Sequence, residues 1–373
     1  MVPNLRFAGY IDNYRTCKLI DISEIVTRTN ENNSEYPIMM ISAGKGFIAQ
    51  SEKYSRDNAG TSINKYILLK KGELAYNRGN SKQFPYGAIY EMKEECALIP
   101  YVYHCFNIYD ESTRYFSHYL NSPFKDEQLS KIITSSVRGN GLLNISKNDF
   151  FNLSLNVPSI KEQNKIAKFL DLIDQRIQTQ SKIIDTLSSQ KKQIRNLIFK
   201  DIHKNANCCI QDYVIYEQPQ KYIVHSTDYV SHGKDYTPVL TANQSFILGY
   251  TLEKDGIYKK GDCIIFDDFT NENKYVDFPF KVKSSALKIL QTKEGLMLKF
   301  FYEYLQFLNF ESTDHKRHYL SEVAVTDISV PNLKEQTFLC KIFTSFDNKL
   351  KNEEALLEKY RLQKQFLLNN LFI

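Results

Sequence analysis

One long segment occurs twice in this chain. Residues 157–199 begin VPSIKEQ and end QKKQIRNLIF, and residues 330–372 begin VPNLKEQ and end QKQFLLNNLF. The copies align without a gap at a constant offset of 173 residues, and 11 of the 43 aligned positions are identical. A repeat of this fidelity predicts that a whole structural unit was duplicated.

Each copy is predicted to be one long helix. A proline stands at the start of each copy, where it disfavours helical geometry in the preceding residue but fits a first helical turn. Neither copy contains a later Gly or Pro. Apolar residues recur in alternating steps of four and three, which is the heptad pattern of a coiled coil. About 40 residues at about 1.5 Å each predict a rod about 60 Å long.

The two helices are predicted to pair antiparallel along the heptad seam. In each copy the apolar pattern fails only at the third-heptad site and at a lysine. A register that places Lys191 opposite Glu353 also places Lys364 opposite Gln180, and a buried polar pair is a known way to specify register. The predicted seam residues are Ile173, Ile177, Ile184, Leu187, Lys191, Ile194, Phe346, Leu350, Glu353, Leu357, Tyr360 and Leu367.

The stretches outside the helices follow a common plan. Short strand-like runs come first, namely YPIMMIS, KYILL, ELAYN, GAIYEM and ALIPYVYHCFNI in the first stretch and YTPVLT, SFILGYTL, CIIF and SALKILQ in the second. An aromatic helix follows each set, with a break expected at Pro123 in the first. The predicted fold class is α+β, with two pseudo-repeated globular α/β domains separated by an antiparallel pair of long coiled-coil helices. The predicted domains are residues 1–157, a central helix over 158–204, residues 205–331 and a distal helix over 332–373.

Composition predicts a soluble cytoplasmic protein. Hydrophobic residues make up 42% of the 373, and no apolar run approaches the roughly 18 to 20 residues of a membrane span. The polar start MVPNLRFAGYIDNYR lacks the apolar core of a signal peptide. The seven cysteines include no CxxC pair, which argues against a disulfide framework and a zinc site and favours reduced thiols.

Net charge is weak support for nucleic-acid binding. The total of +5 is concentrated around the first long helix, while residues 205–331 carry 13 Lys and Arg against 17 Asp and Glu. The case for DNA binding therefore depends on individual loops. The negative second domain leaves open a variant in which that domain has lost its DNA site.

Motifs for catalysis are missing. The chain has no phosphate-binding GxxxxGK[ST], no GxGxxG, no GxSxG, no HExxH and no S-adenosylmethionine motif of the FxGxG and N-P-P-[FY] type. Glu91-Met92-Lys93 matches half of a metal-dependent nuclease motif without a partner Asp. We therefore expect no catalytic residues, no metal site and no cofactor in this chain, which disfavours a self-contained methylase or nuclease.

Loops rich in Lys, Arg, Asn, Gln and Tyr are the candidate DNA contacts, because phosphates attract positive charge and base edges accept bidentate Arg, Asn or Gln. The candidates are Lys45, Lys53, Tyr54, Arg56, Asn77, Arg78, Asn80, Lys82, Arg138, Lys221, Tyr222, Asn243, Gln244, Asn271, Lys274, Lys316 and Arg317. Arg78 and Arg317 are preferred. The cluster from His315 to His318 fits phosphate or base contacts or a solvated turn.

The chain resembles the specificity subunits of type I restriction-modification systems. The resemblance covers nearly the full length and is carried by the opening VPNLRF and by two helix starts, VPSIKEQNKIAKFLDLID and VPNLKEQTFLCKIFTSFD, 173 residues apart. Family members often have a Trp shortly after the opening, whereas this chain has none and places Tyr14 there.

This resemblance implies a non-catalytic subunit that binds double-stranded DNA. Each globular domain would be a target-recognition domain for one half of a bipartite site, and the helix pair would determine the gap. Two methyltransferase subunits and the motor-nuclease subunits would be partners, and these would use S-adenosylmethionine, ATP and Mg. A different class also fits the residues, namely an adaptor whose two domains bind proteins. Salt-dependent, sequence-specific DNA binding distinguishes these alternatives.

Overall fold

The computed structural model describes residues 2–30, 35–53, 60–79, 81, 84–133, 142–230, 235–242, 246–311 and 316–373. They form two compact units. Unit 1 is Met1–Ser181 with Leu356–Ile373, and unit 2 is Lys182–Ala355. Each long helix therefore contributes one half to each unit.

Unit 1 contains short strands, short helices and two long-helix segments. In chain order its elements are β1 (Arg15–Lys18), β2 (Ser23–Ile25), β3 (Met39–Ser42), β4 (Gly46–Ala49), α1 (Gln50–Lys53), β5 (Ile67–Lys70), β6 (Leu74–Asn77), β7 (Ala88–Glu91), β8 (Cys96–Ile99), β9 (His104–Ile108), α2 (Thr113–Tyr119), α3 (Pro123–Ile132), α4 (Lys147–Phe151), β10 (Ser154–Val157) and the first half of α5 (Ile160–His203). The predicted aromatic helix is two helices, and Pro123 occupies the first turn of the second.

Unit 2 begins with the second half of α5. Its further elements are β11 (Cys208–Cys209), α6 (Ile210–Tyr213), β12 (Val214–Glu217), β13 (Thr237–Leu240), β14 (Ile247–Thr251), β15 (Cys263–Asp267), β16 (Asn273–Val276), β17 (Lys281–Val282), β18 (Leu287–Thr292), α7 (Leu298–Leu308), a π-helical turn (Tyr319–Val323), β19 (Asp327–Ile328) and the first half of α8 (Leu333–Leu371). The second half of α8 belongs to unit 1.

The two units repeat one strand topology. Unit 1 has a four-stranded sheet of order β2-β9-β6-β7, and unit 2 has one of order β12-β18-β15-β16. Each unit also has an antiparallel hairpin, β3–β4 or β13–β14, and a short antiparallel ladder just before its long helix, β1–β10 or β11–β19. This equivalence confirms the predicted duplication of the globular part.

Alternation along the central strands divides each unit into two cores. In β6, Leu74 and Tyr76 pack with the helices, whereas Ala75 packs on the opposite face against β5 and β8. In β15, Ile264 and Ile265 face opposite cores in the same way. Side chains with a period of two point to alternate faces of a sheet, so both faces are buried.

Each unit contains an antiparallel pair of long-helix segments. In unit 1 Lys364 Nζ lies 2.5 Å from Asp174 Oδ1, and Arg176 lies over the Tyr360 ring at 5.8 Å. The residue numbers of the contacts rise along α5 as they fall along α8, so the two segments run antiparallel. In unit 2 Lys191 Nζ lies 2.6 Å from Asp347 Oδ1. The predicted antiparallel coiled-coil pair is confirmed.

The predicted register was wrong. Lys191 contacts Asp347, which lies six residues before the predicted partner Glu353. Its second carboxylate, 2.8 Å away, is Glu303 on α7. Lys364 likewise contacts Asp174 rather than Gln180. Glu303 is fully buried and also contacts other cations, so a third helix helps to determine which residues face each other.

A glutamine of the repeated VPxxKEQ motif joins each long helix to the preceding aromatic helix. The Gln163 amide accepts from Ser112 N at 3.0 Å and donates to Pro158 O at 2.9 Å. Gln336 accepts from Met297 N at 2.7 Å and donates to Pro331 O at 2.8 Å. Both glutamines are fully buried. Each satisfies a backbone N–H at the start of α2 or α7, a group that would otherwise be unpaired.

In the part of the chain that the structure describes, no helix is both long and apolar enough to cross a membrane.

Candidate nucleic-acid interface

Two loops come together at the same place in each unit. In unit 1 the loop after β6 contacts the segment before α4, because Leu143 N donates to Arg78 O at 3.0 Å. In unit 2 the loop after β15 contacts the segment before the π-helical turn, because His318 N donates to Asp268 O at 2.9 Å. We call these the loop pair of unit 1 and the loop pair of unit 2. Several predicted DNA contacts lie in them.

In unit 1 the loop pair is held by Arg78. Its Nη1 donates to Ile145 O at 3.2 Å and its Nη2 donates to Val102 O at 3.3 Å. Asn77, the preceding residue, accepts from Gly79 N at 3.0 Å through Oδ1. These bonds use both predicted side chains to shape the loop, so the described contacts of Arg78 are structural.

A buried histidine lies below this loop. His104 is within 5.9 Å of the Tyr76 and Phe150 rings, and Tyr76 stacks on Phe150 at 4.4 Å. Burial lowers the pKa of His104 to about 4, and the positive charge of Arg78 acts in the same direction. His104 is therefore neutral at physiological pH.

In unit 2 the loop pair is organised by Asp268, a residue that the sequence analysis did not single out. Its Oδ1 accepts from Tyr319 N at 2.9 Å, and its Oδ2 lies 3.1 Å from Lys288 Nζ. Both charged side chains are buried. Arg317 is exposed and lies over the Phe269 ring at 5.9 Å, and Lys316 is also exposed. The arrangement presents positive charge beside an aromatic ring, which suits phosphate and base contacts.

Asn271 and Lys274 have different surroundings from those predicted. Asn271 has a left-handed φ of 60° and is only 4% exposed. Its two side-chain amide atoms make no hydrogen bond in the structure. Lys274 lies in strand β16, where it pairs with Ile265, rather than in a loop. Neither side chain projects freely from a turn.

The hairpin of each unit carries a second candidate surface. Lys45 is exposed in the β3–β4 turn, where Gly44 and Gly46 have the positive φ angles that the tight reversal requires. Gly44 N donates to the Tyr90 hydroxyl at 2.9 Å, so β7 fixes the position of this turn. In unit 2 the predicted contacts Asn243 and Gln244 come between β13 and β14 in the sequence and lie outside the described residues.

The remaining predicted contacts divide into exposed, buried and undescribed residues. Lys221 is exposed, but its neighbour Tyr222 is buried and donates to Glu217 Oε1 at 2.9 Å. Other predicted contacts lie outside the described residues, namely the side chain of Lys53 and the residues Tyr54, Arg56, Asn80, Lys82, Arg138, Asn243, Gln244 and His315. Among the described residues, the exposed basic candidates are therefore Lys45, Lys221, Lys316 and Arg317.

All predicted seam residues are buried or half-buried. Ile173, Leu187, Lys191, Leu357 and Leu367 are buried, and the others are half-buried. The seam of unit 2 also holds a charge cluster in which Asp347 Oδ2 lies 2.5 Å from Lys299 Nζ. Burial acts to raise the pKa of Asp347, but hydrogen bonds from Lys191 and Lys299 outweigh it and lower that pKa below its usual value. Asp347 therefore remains ionised.

One cluster of the described residues resembles a metal site but contacts a lysine. His225, Glu253 and Asp255 offer ligand atoms within 4.8 Å of one another, yet Lys281 Nζ lies 2.5 Å from Glu253 Oε2. The Lys281 ammonium therefore already pairs with one of the carboxylates that a divalent cation would need. In the half-match to a nuclease motif, Lys93 Nζ lies 2.6 Å from Glu91 Oε2.

The sequence of this chain is similar to a known protein family and to one of its relatives. Residues 12–189 match the model of the type I restriction modification DNA specificity domain. A segment of 122 residues is 48% identical to the type I restriction enzyme EcoR124I/EcoR124II specificity subunit of Escherichia coli, and it covers 31% of this chain and 30% of that protein. The matched segment thus spans less than a third of this relative.

Solved structures extend the similarity of the fold to the whole chain. The crystal structure of a type I restriction-modification system S subunit from M. genitalium matches with a TM-score of 0.62 at 14% identity, covering 100% of this chain and 99% of that one. A second chain comes from a structural study of complex assembly and conformational transition in the type I restriction-modification system. It matches with a TM-score of 0.54 at 13% identity, covering 97% of this chain and 98% of that one.

Proposed function

We propose that this chain, whose residues 12–189 match the model of the type I restriction modification DNA specificity domain, is the DNA-recognition subunit of a type I restriction-modification complex. The observation that carries this proposal is the repeated strand topology with unlike loop pairs. The loop after the equivalent strand holds Arg78, bonded to backbone carbonyls, in unit 1 and Asp268, paired with Lys288, in unit 2, where the neighbouring segment presents exposed Arg317. One scaffold with two different loop surfaces suits recognition of two different sequences.

Each globular domain would recognise one half of a bipartite site in double-stranded DNA. Exposed Lys45 in unit 1 and Lys221, Lys316 and Arg317 in unit 2 would contact phosphates or base edges. Base edges in the major groove distinguish all four base pairs, so a few side chains per domain can specify a half-site. The antiparallel helix pair would determine the number of base pairs between the half-sites.

The chemistry would belong to partner subunits. Two methyltransferase subunits would dock on the helices and recognition domains and use S-adenosylmethionine to methylate adenine. Motor-nuclease subunits would add ATP- and Mg-dependent translocation and cleavage. The chain itself would be non-catalytic.

Methylation mapping with the neighbouring methyltransferase tests the proposal. DNA from cells that express both proteins should carry methyladenine in one motif made of two specified parts and an unspecified gap. Binding of the purified complex to that motif should weaken steeply as the salt concentration rises, because binding releases cations from the DNA phosphates and added salt opposes this release. Absence of salt-dependent, sequence-specific DNA binding would instead support a protein-binding adaptor.

A further inference from the structure

The two long helices begin with equivalent glutamates that have unlike surroundings. Glu162 in unit 1 is buried and accepts two hydrogen bonds of 2.8 Å from the Arg6 guanidinium. The Tyr14 hydroxyl donates to the same carboxylate at 3.2 Å. Its equivalent in unit 2, at the offset of 173, is Glu335, which is exposed. The chain's own start therefore covers one glutamate and leaves the other open.

Residues 4–14 contact the helix pair of unit 1 at further points besides Glu162. The Phe7 ring packs edge-on against Phe169 at 5.7 Å, and Lys165 Nζ lies 5.6 Å from the same ring. Leu5 N donates to Asn370 O at 2.9 Å. This segment thus binds the helix pair through an ion pair, a ring contact and a backbone hydrogen bond.

Among the residues that the structure describes, the equivalent face of unit 2 is exposed and more apolar. The offset of 173 replaces Lys165 by Phe338, Phe169 by Ile342 and Asn370 by Leu197. Phe338 is 65% exposed and Leu197 is 71% exposed. Clusters of exposed apolar side chains mark interaction sites.

A groove crosses this face. It has a volume of about 610 Å³ and is lined by the apolar residues Leu187, Phe338, Ile342 and Phe346 together with Gln190 and Lys341. Glu335 lies on the same helix, less than one turn before Phe338. The groove is open along its length, which suits a peptide better than a compact small molecule.

We propose that this face of unit 2 binds an extended segment of a partner protein in which an arginine directly precedes an aromatic residue. The arginine would form a bidentate ion pair with Glu335, and the aromatic ring would pack between Phe338 and Ile342. Residues 6 and 7 of this chain supply the same chemistry to unit 1. A guanidinium matches a carboxylate better than an ammonium does, because its planar fork can donate two parallel hydrogen bonds. The proposal is independent of the proposed DNA recognition.

A synthetic peptide of residues 2–14 is the probe. Labelled at its carboxyl end and titrated with the full-length chain, it should show saturable binding by fluorescence anisotropy. Glu335→Gln and Phe338→Ala should each weaken binding about tenfold. Both residues are exposed, so neither change should alter the melting temperature. Glu354→Gln, an exposed change of the same charge on the same helix, should leave binding unchanged.

Coupling between peptide and chain identifies the ion pair. A peptide with Arg6→Ala should bind about tenfold more weakly to the original chain, but Glu335→Gln should weaken its binding no further. Additive losses would overturn the proposal, as would absence of saturable binding. Loss of peptide binding on Glu162→Gln but not on Glu335→Gln would place the peptide on unit 1 and overturn it. Dimerisation that disappears when residues 2–14 are deleted would show that a second copy occupies the groove, which also contradicts a partner protein.

Discussion

Arg78 and Arg317 illustrate how the surroundings of a side chain decide its role. Both were preferred DNA contacts, yet Arg78 bonds two backbone carbonyls and Arg317 is exposed. We predict that Arg78→Ala lowers the free energy of unfolding by about 2 kcal/mol, because hydrogen bonds from a charged donor are lost. Arg317→Ala should leave the unfolding free energy within about 0.5 kcal/mol and weaken DNA binding by about 1 to 3 kcal/mol.

Urea denaturation and DNA titration of the two variants check this contrast. Lys351→Ala, an exposed change on α8, serves as the charge-matched control for both. An Arg78→Ala variant of normal stability that has lost DNA affinity would contradict the structural role.

His104 should make stability depend on pH. The pKa of an unfolded histidine is about 6.5, whereas burial first, and then the charge of Arg78, lowers that of folded His104 to about 4. Between these values the unfolded chain binds a proton that the folded chain does not, so stability falls as pH decreases. At about pH 5 this loss amounts to about 2 kcal/mol relative to neutral pH.

The change His104→Gln removes this contribution. When the pH is lowered from about 7.5 to about 5, the free energy of unfolding of the variant should rise by about 2 kcal/mol relative to that of the original chain. Urea denaturation of both proteins at the two pH values measures the difference. Parallel pH profiles would show that folded His104 takes up a proton as readily as unfolded His104.

Residue types predicted the positions of loops better than they predicted the directions in which individual side chains point. Lys45 and Arg317 were expected at exposed turns and lie there. Tyr222 and Asn271 were expected at the surface, but both are buried. Composition indicates that a stretch is polar, but the direction of one side chain depends on the packing around it, such as the Tyr258 ring 5.3 Å from Tyr222.

At the scale of the elements, the repeated glutamines Gln163 and Gln336 connect each long helix to the aromatic helix that precedes it. We predict that Gln163→Leu lowers the unfolding free energy by about 2 kcal/mol, because the Ser112 N–H is left buried without its acceptor. Gln336→Leu should have a similar effect through Met297 N. Lys161→Gln changes an exposed side chain just before Gln163 on α5, and it should lower the unfolding free energy by less than about 0.5 kcal/mol.

Calorimetry of the three variants measures these costs. Equal melting temperatures for Gln163→Leu and Lys161→Gln would contradict the capping role. The sequence already carried a signal for this contact, since the two glutamines are among the 11 positions that are identical in the two copies. It could not reveal the acceptor role, because Ser112 and Met297 belong to other elements.

The helix pair was predictable and its register was not. Heptad spacing depends on one helix alone, and it predicted both long helices and their pairing. The register prediction matched polar residues between two helices only. The buried carboxylate of Glu303, contributed by α7, offers Lys191 a partner that a two-helix pattern omits.

At the scale of the molecule, the duplication predicted most of the architecture. Equivalent sheets, hairpins and ladders appear in both units, as the common plan of the two stretches indicated. Strand β16 was missed because NKYV follows a polar stretch and was assigned to a DNA-binding loop. Its pairing with β15 depends on a neighbouring strand and not on its own apolar pattern.

A longer helix pair should lengthen the gap in the proposed target. Seven residues inserted at equivalent positions 182 and 355 would add about 10 Å to each helix, equal to about 3 base pairs. The half-sites should stay the same, since neither globular domain changes. Methylation mapping shows the gap, and a gap of the original length would contradict a spacing role for the helices.

The central claim is that the two globular domains recognise different half-sites independently. Its most direct test replaces residues 205–331 by the equivalent domain of another family member and maps methylated motifs in cells that contain the methyltransferase. The motif should keep one half-site and its gap and acquire a new second half-site. A change in both half-sites, or in neither, would contradict the claim.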